Sequence, residues 1–363
     1  MVKKFVYGTP FETEAVVKEI PSSEGNPDYG TFSTENGFSF TTKLADDDMV
    51  FGLGEANRGI NKRGFLYISD CADDPNHVES KTSLYAAHNF IIISGKTHVG
   101  FFFDYPGTLR FDIGYTTSDT MTVSCENADL YVYMITGDSD LDIVKQFRGI
   151  IGRSYIAPKF AFGYGQSRWG YKTEDDFRTV VKKYRENHVP LDMVYMDIDY
   201  MQDYKDFTVN EERFPDFEGF VQDMKKEKIH LVPIIDAGVK VEEGYDIYEE
   251  GCEKGYFCRR EDGSYFEATV WPGWTHFPDV LNADARKWFG DKYDVLVSKG
   301  IDAFWNDMNE PSIFYSQEGL ADFKETAKKY VEGDPEVPHY MVGEKLQALA
   351  NNHEDYKLSL IHI

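Results

Sequence analysis

Hydrophobic and polar positions alternate along the first 137 residues, which is the pattern of short β-strands with one buried face. Residues 31–34 and 38–41 flank Glu35-Asn36-Gly37, a sequence typical of a β-hairpin turn. Many short strands at such close spacing predict an antiparallel β-sandwich for residues 1–137. Residues 138–157 then predict a helix that links the sandwich to the second half of the chain.

After Pro158 the pattern changes to apolar runs that alternate with amphipathic helical segments. The apolar runs predict buried parallel strands at residues 160–165, 193–196 and 230–235, and from residue 301 onward. This alternation of strand and helix predicts an α/β fold, and acids at successive strand ends favour one half of a (β/α)8 barrel.

The helices between these strands begin at recognisable capping residues. Thr173 opens a capping-type start for one helix, and Asn282 precedes another that is predicted to end at Gly300. About seventy residues separate the third strand from the fourth, roughly twice the earlier interval. The extra segment, about residues 239–279, predicts an insertion that forms the rim of a pocket.

Acidic residues follow three of the predicted barrel strands. Asp197 and Asp199 follow the second strand, Asp236 follows the third, and Asp307 and Glu310 follow the fourth. Because parallel strands bring their carboxyl ends to one face of a barrel, these carboxylates are expected to lie near one another. A helix cap or a solvated loop remains the alternative explanation for any single acid.

Composition limits the possible partners. The net charge of −25 argues against nucleic acid and against an anionic membrane surface, and no apolar run reaches membrane-spanning length. Cys71, Cys125, Cys252 and Cys258 have no metal-binding spacing, so free thiols and no metal or cofactor are expected. The first residues lack an apolar leader, which predicts a cytoplasmic protein.

The segment Trp305-Asn306-Asp307-Met308-Asn309-Glu310 resembles the nucleophile signature of glycoside hydrolase family 31, the α-glucosidases and their relatives. Residues 165–171, 197–201, 235–238 and 270–273 agree with the same family in order and spacing. The resemblance implies an N-terminal β domain followed by a (β/α)8 TIM barrel. This chain would supply the first four strands of that barrel.

The activity implied by the resemblance is that of a retaining, exo-acting α-glucosidase that uses no cofactor. Such an enzyme removes terminal non-reducing glucose from small α-glucoside oligosaccharides of the maltose or isomaltose type, through a covalent glycosyl-enzyme. An α-xylosidase or another family 31 glycosidase is the first alternative. An inactive sugar-binding fragment is the second.

Family resemblance assigns the nucleophile to Asp307 and places the acid/base aspartate in a later barrel strand, beyond this chain. Glu310 is expected to orient the nucleophile or to bind a hydroxyl. Asp197 and Asp236 are candidates for the hydroxyls of the −1 sugar, whereas Asp199 could equally pair with a buried arginine. The full set of candidate substrate-binding residues is Asp73, Trp169, Asp197, Ile198, Ile235, Asp236, Trp271, Phe277 and Trp305.

The apolar candidates have separate expected roles. Trp271 and Trp305 are expected to form the walls of the −1 pocket and Phe277 to close it, with packing as the alternative. Trp169 is expected to face the +1 sugar, and Ile198 to limit space beside the 4- or 6-hydroxyl. Asp73 belongs to a loop that resembles the family's loop over the pocket.

Residues 358–363 resemble the translated end of a sequencing adapter. The chain is therefore expected to be a truncated product in which residues 158–356 form the first half of the barrel. The full-length protein could form a homo-oligomer.

Overall fold

The computed structural model describes residues 1–70, 77–309 and 312–351. The chain divides into two compact units, Met1–Ile156 and Ala157–Ile363, and each contains its own hydrophobic core. Two residues predicted to act at the site, Asp73 and Glu310, lie outside the described residues.

The first unit is built from antiparallel strands. Its described residues form ten strands: β1 (Val2–Tyr7), β2 (Thr31–Ser33), β3 (Phe38–Lys43), β4 (Met49–Gly54), β5 (Phe65–Ser69), β6 (Ala87–Ser94), β7 (His98–Asp104), β8 (Leu109–Ile113), β9 (Thr120–Cys125) and β10 (Leu130–Gly137). Two five-stranded sheets result, in the orders β1-β10-β7-β6-β4 and β2-β3-β9-β8-β5. The predicted hairpin is confirmed, because Thr31 pairs with Thr41 and Ser33 with Ser39.

Aromatic side chains fill the space between the two sheets. Phe40 of β3 and Phe101 of β7 are fully buried, and their ring centroids lie 4.7 Å apart. These residues come from different sheets, so the alternation along each strand places one face of each sheet in a shared core. The β-sandwich prediction is therefore confirmed.

The helix after the last sandwich strand, α1 (Asp140–Ile151), belongs to the first unit. Its N-cap, Ser139, accepts a hydrogen bond from the backbone N–H of Asp142. The helix packs through Phe147, whose ring stacks on Phe90 of β6 with 3.9 Å between centroids. The segment predicted as a separate linker thus mostly covers the outer face of a sandwich sheet.

The second unit alternates strands and helices. Its described residues form β11 (Gly165–Gln166), α2 (Glu174–Glu186), β12 (Met193–Met196), α3 (Phe217–Lys226), β13 (His230–Asp236), β14 (Val239–Lys240), α4 (Asp246–Lys254), β15 (Glu267–Val270), β16 (Gly273–His276), α5 (Ala283–Lys292), α6 (Asp294–Val297), β17 (Trp305–Asp307), β18 (Tyr315–Ser316), α7 (Gln317–Glu332) and α8 (Val342–Asn351). Strands β11, β12, β13 and β17 pair in parallel in that order. This sheet confirms the prediction of a partial TIM barrel.

Two of the predicted barrel strands are shorter than expected. A 3₁₀ turn at Lys159–Phe162 replaces most of the first one, because Pro158 starts the turn and the N–H of Gly163 bonds to the carbonyl of Phe160. The fourth pairs with its neighbour only at Trp305–Asp307. The barrel sheet is therefore formed mainly by β12 and β13.

The helices begin where their capping residues predict. Thr173 and Asp176 form a complete capping box at the start of α2. Asn282 accepts hydrogen bonds from two backbone N–H groups at the start of α5. The predicted single helix to Gly300 is interrupted at Tyr293 and continues as the short α6.

The long insertion folds into a small antiparallel sheet of its own. The strand order is β14-β16-β15-β18, so the chain returns after Asp307 to add β18 to the insertion. Phe266, Phe277 and Ile313 form its core together with Met308, which follows the predicted nucleophile directly. The insertion is thus packed against the end of β17.

Candidate active site

The register of the barrel sheet brings Asp236 and Asp307 together. The two residues are Cα partners at the carboxyl ends of β13 and β17. Asp197 follows Met196, whose partner in β13 is Pro233. Since neighbouring strands lie about 4.8 Å apart, three carboxylates from three strands converge on one edge of the sheet.

Burial and mutual repulsion raise the pKa values of two of these acids. The pKa of Asp236 rises to about 7, first because its carboxyl group is buried and then because Asp307 and Asp197 carry like charge. Burial also raises the pKa of Asp197, although the N–H of Ile198 donates to its Oδ1 at 2.8 Å and opposes this change. Asp307 and Asp197 therefore both act electrostatically on Asp236, and Asp199 acts on Asp197, as expected at a reactive site.

The carboxylate of Asp199 is paired with two cationic side chains. Its carboxylate is buried, and Arg213 Nη1 lies 3.3 Å from Oδ1 while donating to the Asp199 carbonyl at 2.6 Å. Lys172 Nζ is 3.8 Å from the same oxygen. Of the two roles left open by the sequence, the geometry favours the arginine pair.

A tight turn fixes the position of Asp307 at the end of its strand. Met308 has φ of 59°, in the left-handed region that residues other than glycine seldom occupy. Its side chain is buried with Phe277 and Ile313 in the core of the insertion. The insertion therefore holds the backbone in a conformation that would otherwise be unfavourable.

Exposed aromatic rings lie close together in loops of the second unit. Trp169, in the loop after β11, is 61% exposed, and its ring lies 5.9 Å from that of Trp271 in the turn between β15 and β16. Phe314 completes the group, with its ring 5.0 Å from Trp271 in an edge-to-face arrangement. Trp305 lies on the barrel strand itself and contacts Tyr195 of β12 at 6.1 Å.

Three of the predicted substrate contacts are buried in hydrophobic cores. Ile198 is 2% exposed in the main core of the second unit, and Phe277 is 1% exposed in the insertion. Ile235 is 2% exposed and belongs to the same core as Ile198. Packing in these cores therefore accounts for the positions of the Phe277 and Ile235 side chains.

Alternation along β13 places Ile234, which the sequence analysis did not single out, on the same face as Asp236, although its side chain is as buried as that of Ile235. Successive side chains point to opposite faces, so Ile234 and Asp236 share the face opposite to Ile235. Ile234 pairs with Trp305 in the register of the sheet. Counting back by two from Asp236 would have revealed this position.

A second missed residue lies beneath the carboxylates. Asp206 is fully buried, and its Oδ1 accepts a hydrogen bond from the N–H of Asp236 at 3.1 Å. The contact joins residues thirty positions apart. Phe314 was missed as well, although it follows the signature segment closely in the sequence.

The described residues contain neither a candidate metal site nor a candidate membrane span. In the ranges that the structure describes, no group of three or more histidine, cysteine, aspartate or glutamate residues is arranged to hold a metal ion. None of the helices in those ranges is long and apolar enough to cross a membrane.

A parallel α/β sheet with carboxylates at its carboxyl edge and aromatic rings beside them is an arrangement suited to hydrolysis of glycosidic bonds. Residues 154–357 match the glycosyl hydrolases family 31 TIM-barrel domain, and residues 11–112 match the glycosyl hydrolase 31 N-terminal galactose mutarotase-like domain. The chain belongs to glycosyl hydrolase family 31.

Several similar proteins carry the name alpha-glucosidase. The chain is 37% identical to alpha-glucosidase 2 of Bacillus thermoamyloliquefaciens over 277 residues, which are 75% of this chain and 35% of that protein. It is 28% identical over 318 residues to an alpha-glucosidase of Saccharolobus solfataricus, covering 86% of this chain and 46% of that protein. The chain thus spans between a third and a half of the length of these relatives.

Solved structures agree on the architecture. A heterodimeric complex of ER glucosidase II matches with a TM-score of 0.68 and 27% identity over 77% of this chain and 33% of that one. A Flavobacterium johnsoniae dextranase with isomaltotriose matches with a TM-score of 0.71 over 80% of this chain and 36% of that one. At 23% identity the dextranase supports the fold alone.

Proposed function

We propose that the protein containing this chain is a retaining, exo-acting α-glucosidase for small oligosaccharides of the maltose or isomaltose type. The observation that carries the proposal is the pairing of Asp236 and Asp307 at the carboxyl ends of adjacent strands, within the family 31 signature. The alpha-glucosidase relatives support glucose as the sugar.

In this proposal Asp307 is the nucleophile. Its carboxylate attacks the anomeric carbon of the −1 glucose, the bond to the leaving oxygen breaks, and a covalent glycosyl-enzyme forms. The proton for the leaving oxygen comes from an aspartate that the family resemblance places on a later barrel strand. Water then hydrolyses the intermediate, and the same acid/base group takes the proton from that water.

The remaining acids would hold the sugar. Asp197 and Asp307 both act electrostatically on Asp236, and in this proposal Asp197 and Asp236 each accept hydrogen bonds from sugar hydroxyls. Charge-assisted hydrogen bonds of this kind contribute about 1.5–3 kcal/mol each. Because the pKa of Asp236 is about 7, hydroxyl binding by its charged form would strengthen as the pH rises through neutrality.

Aromatic residues would place the sugars on either side of the broken bond. Trp305 lies on the strand of the nucleophile and would pack against the −1 glucose, while Trp271 would form the adjoining wall. The rings of Trp169 and Phe314 lie 5.9 Å and 5.0 Å from that of Trp271, and both would face the leaving sugar. Glu310 and Asp73 keep their predicted roles in this proposal.

The test uses the complete protein and an aryl α-glucoside. Proton NMR of the first-formed product should show α-glucose, because two displacements at the anomeric carbon retain its configuration. β-Glucose as the initial product would refute the retaining mechanism. Comparison with the aryl α-xyloside distinguishes the α-xylosidase alternative. A cytoplasmic location and a homo-oligomeric full-length protein remain predictions from the sequence.

A further inference from the structure

We infer that Asp206 is a positioning residue, whose buried carboxyl group holds the end of β13 so that Asp236 is presented to the sugar. This inference rests on the proposed function, because it gives Asp236 its task. Asp206 itself is fully buried and would not touch the substrate.

The contact between Asp206 and Asp236 is direct. Asp206 Oδ1 accepts the backbone N–H of Asp236 at 3.1 Å, at the last residue of β13. Among the described residues, neither Asp206 Oδ2 nor Asp236 Oδ1 has a hydrogen-bond partner, although both atoms are buried. Buried carboxyl oxygens are normally satisfied. Asp199 Oδ2 is also buried without a partner, but Asp206 and Asp236 are joined to each other by the backbone hydrogen bond.

The loop that carries Asp206 is held in an unfavourable conformation. Asp203, Tyr204 and Phe207 all have φ between 54° and 60°, in the left-handed region. Three such residues within five positions cost conformational energy that the surroundings must offset. Backbone strain of this kind is commonly kept where a side chain must occupy one particular place.

Contacts made by the Asp206 carbonyl and by the preceding Lys205 hold the loop in place. The hydroxyl of Tyr245 donates to the Asp206 carbonyl at 2.7 Å. Lys205 Nζ binds Glu242 at 2.6 Å, and Lys240 binds the other oxygen of Glu242 at 2.7 Å. Residues 240–245 belong to the insertion, so the insertion also fixes the support beneath Asp236.

The surroundings of Asp206 favour a neutral carboxylic acid. Burial, and then the neighbouring Asp236, raise the pKa of Asp206 well above its usual value. Among the described residues, the phenols of Tyr200, Tyr245 and Tyr293 also interact with it, and their pKa values are raised as well. A neutral acid has one oxygen that accepts and one O–H that donates.

Asparagine reproduces this donor and acceptor pattern without a titratable group. Asp206→Asn should therefore keep both the contact to the Asp236 N–H and the position of Asp236. Asp206→Ala removes the acceptor and leaves the N–H buried without a partner. The two variants separate a requirement for hydrogen bonding from a requirement for charge.

Asp104 provides a matched control in the first unit. It is also a buried aspartate whose pKa is raised by burial, and Thr13 donates to it at 2.6 Å. Asp104→Ala should cost stability for the same reasons as Asp206→Ala, but it should not alter the position of Asp236.

Two measurements on the 363-residue chain test the inference. The first is hydrogen exchange of the Asp236 amide, which needs no activity. The second is covalent labelling by a ring-fluorinated α-glucosyl fluoride, resolved into a binding constant KI and a rate constant kinact and corrected for the folded fraction.

Asp206→Ala should speed exchange of the Asp236 amide and lower kinact/KI, each by about tenfold or more, with the change in labelling mainly in KI. Asp206→Asn should stay within about threefold of wild type in both measurements, and Asp104→Ala should change neither. Unchanged protection of the Asp236 amide in Asp206→Ala, or an Asp206→Asn variant that behaves like Asp206→Ala, would overturn the inference. Absence of labelling in the wild type would count against the proposed function, while amide exchange would still decide the role of Asp206.

Discussion

Asp307 is the side chain on which the proposed chemistry depends, and its replacement gives the sharpest test. Asp307→Asn is nearly isosteric, so folding should be preserved while kcat of the complete protein falls by about three orders of magnitude or more. Peptide mapping after reaction with the fluorinated α-glucosyl fluoride should find the label on Asp307. A matched control is Asp291→Asn, which removes an exposed partner of Lys287. A label on Asp197 or Asp199 would contradict the assignment.

The raised pKa of Asp236 predicts that stability falls as the pH rises. Its pKa is about 7 in the folded chain, above the ordinary value of 3.8, so the folded state binds this proton more tightly than the unfolded state. The associated stability is complete below about pH 4 and is lost as the pH rises toward 7. The side chain of Asp236→Asn does not titrate. The Tm of this variant minus the Tm of the wild type should therefore increase between pH 4 and pH 7. A constant difference in Tm would show that the carboxyl group is not perturbed by burial.

At the scale of elements, the core of the insertion tests whether a predicted substrate residue is instead a packing residue. Phe277 is buried in the core of the insertion beside Met308, so Phe277→Ala should reduce the free energy of unfolding by about 3–5 kcal/mol. Urea denaturation checks this value. A change below about 1 kcal/mol would mean that Phe277 is not a core residue and would restore the pocket-closing role predicted from the sequence.

Trp169 should show the opposite behaviour. Its side chain is largely exposed and touches Trp271, so replacement by tyrosine should leave stability within about 0.5 kcal/mol. In the complete protein, the ratio of kcat/KM for maltose and isomaltose should shift by about 1–2 kcal/mol of differential binding. An unchanged ratio would place Trp169 outside the +1 site.

Local signals along the sequence predict where turns and helices begin. They do not predict which residues of distant elements touch one another. The Glu35-Asn36-Gly37 turn and the Thr173 cap are short-range features, and both form as expected. The first barrel strand begins later than the sequence predicts, because the residues after Pro158 form a 3₁₀ turn that an apolar run does not distinguish from a strand. Asp206 could not be found this way, because its contact with Asp236 depends on how a loop and a strand meet in space.

At the scale of the whole molecule, the four parallel strands make up only part of a barrel. In the described residues β11 and β17 are the outer strands of the sheet, and the chain spans 35% of the length of alpha-glucosidase 2. A (β/α)8 barrel needs eight strands to cover its inner face. The resemblance places the proton donor on one of the later strands, so nucleophile and proton donor are expected on different halves of the barrel.

This division predicts how the isolated chain should react. Hydrolysis of maltose or isomaltose requires protonation of a poor leaving group, so residues 1–356 alone should show no turnover beside the complete protein. An activated fluoride leaves without a proton, so the same chain should still form the covalent adduct on Asp307, although slowly. Mass spectrometry of the intact chain measures the adduct, and Asp307→Asn is the control. Turnover of maltose comparable to that of the complete protein would place the proton donor within residues 1–356 and refute this division of roles.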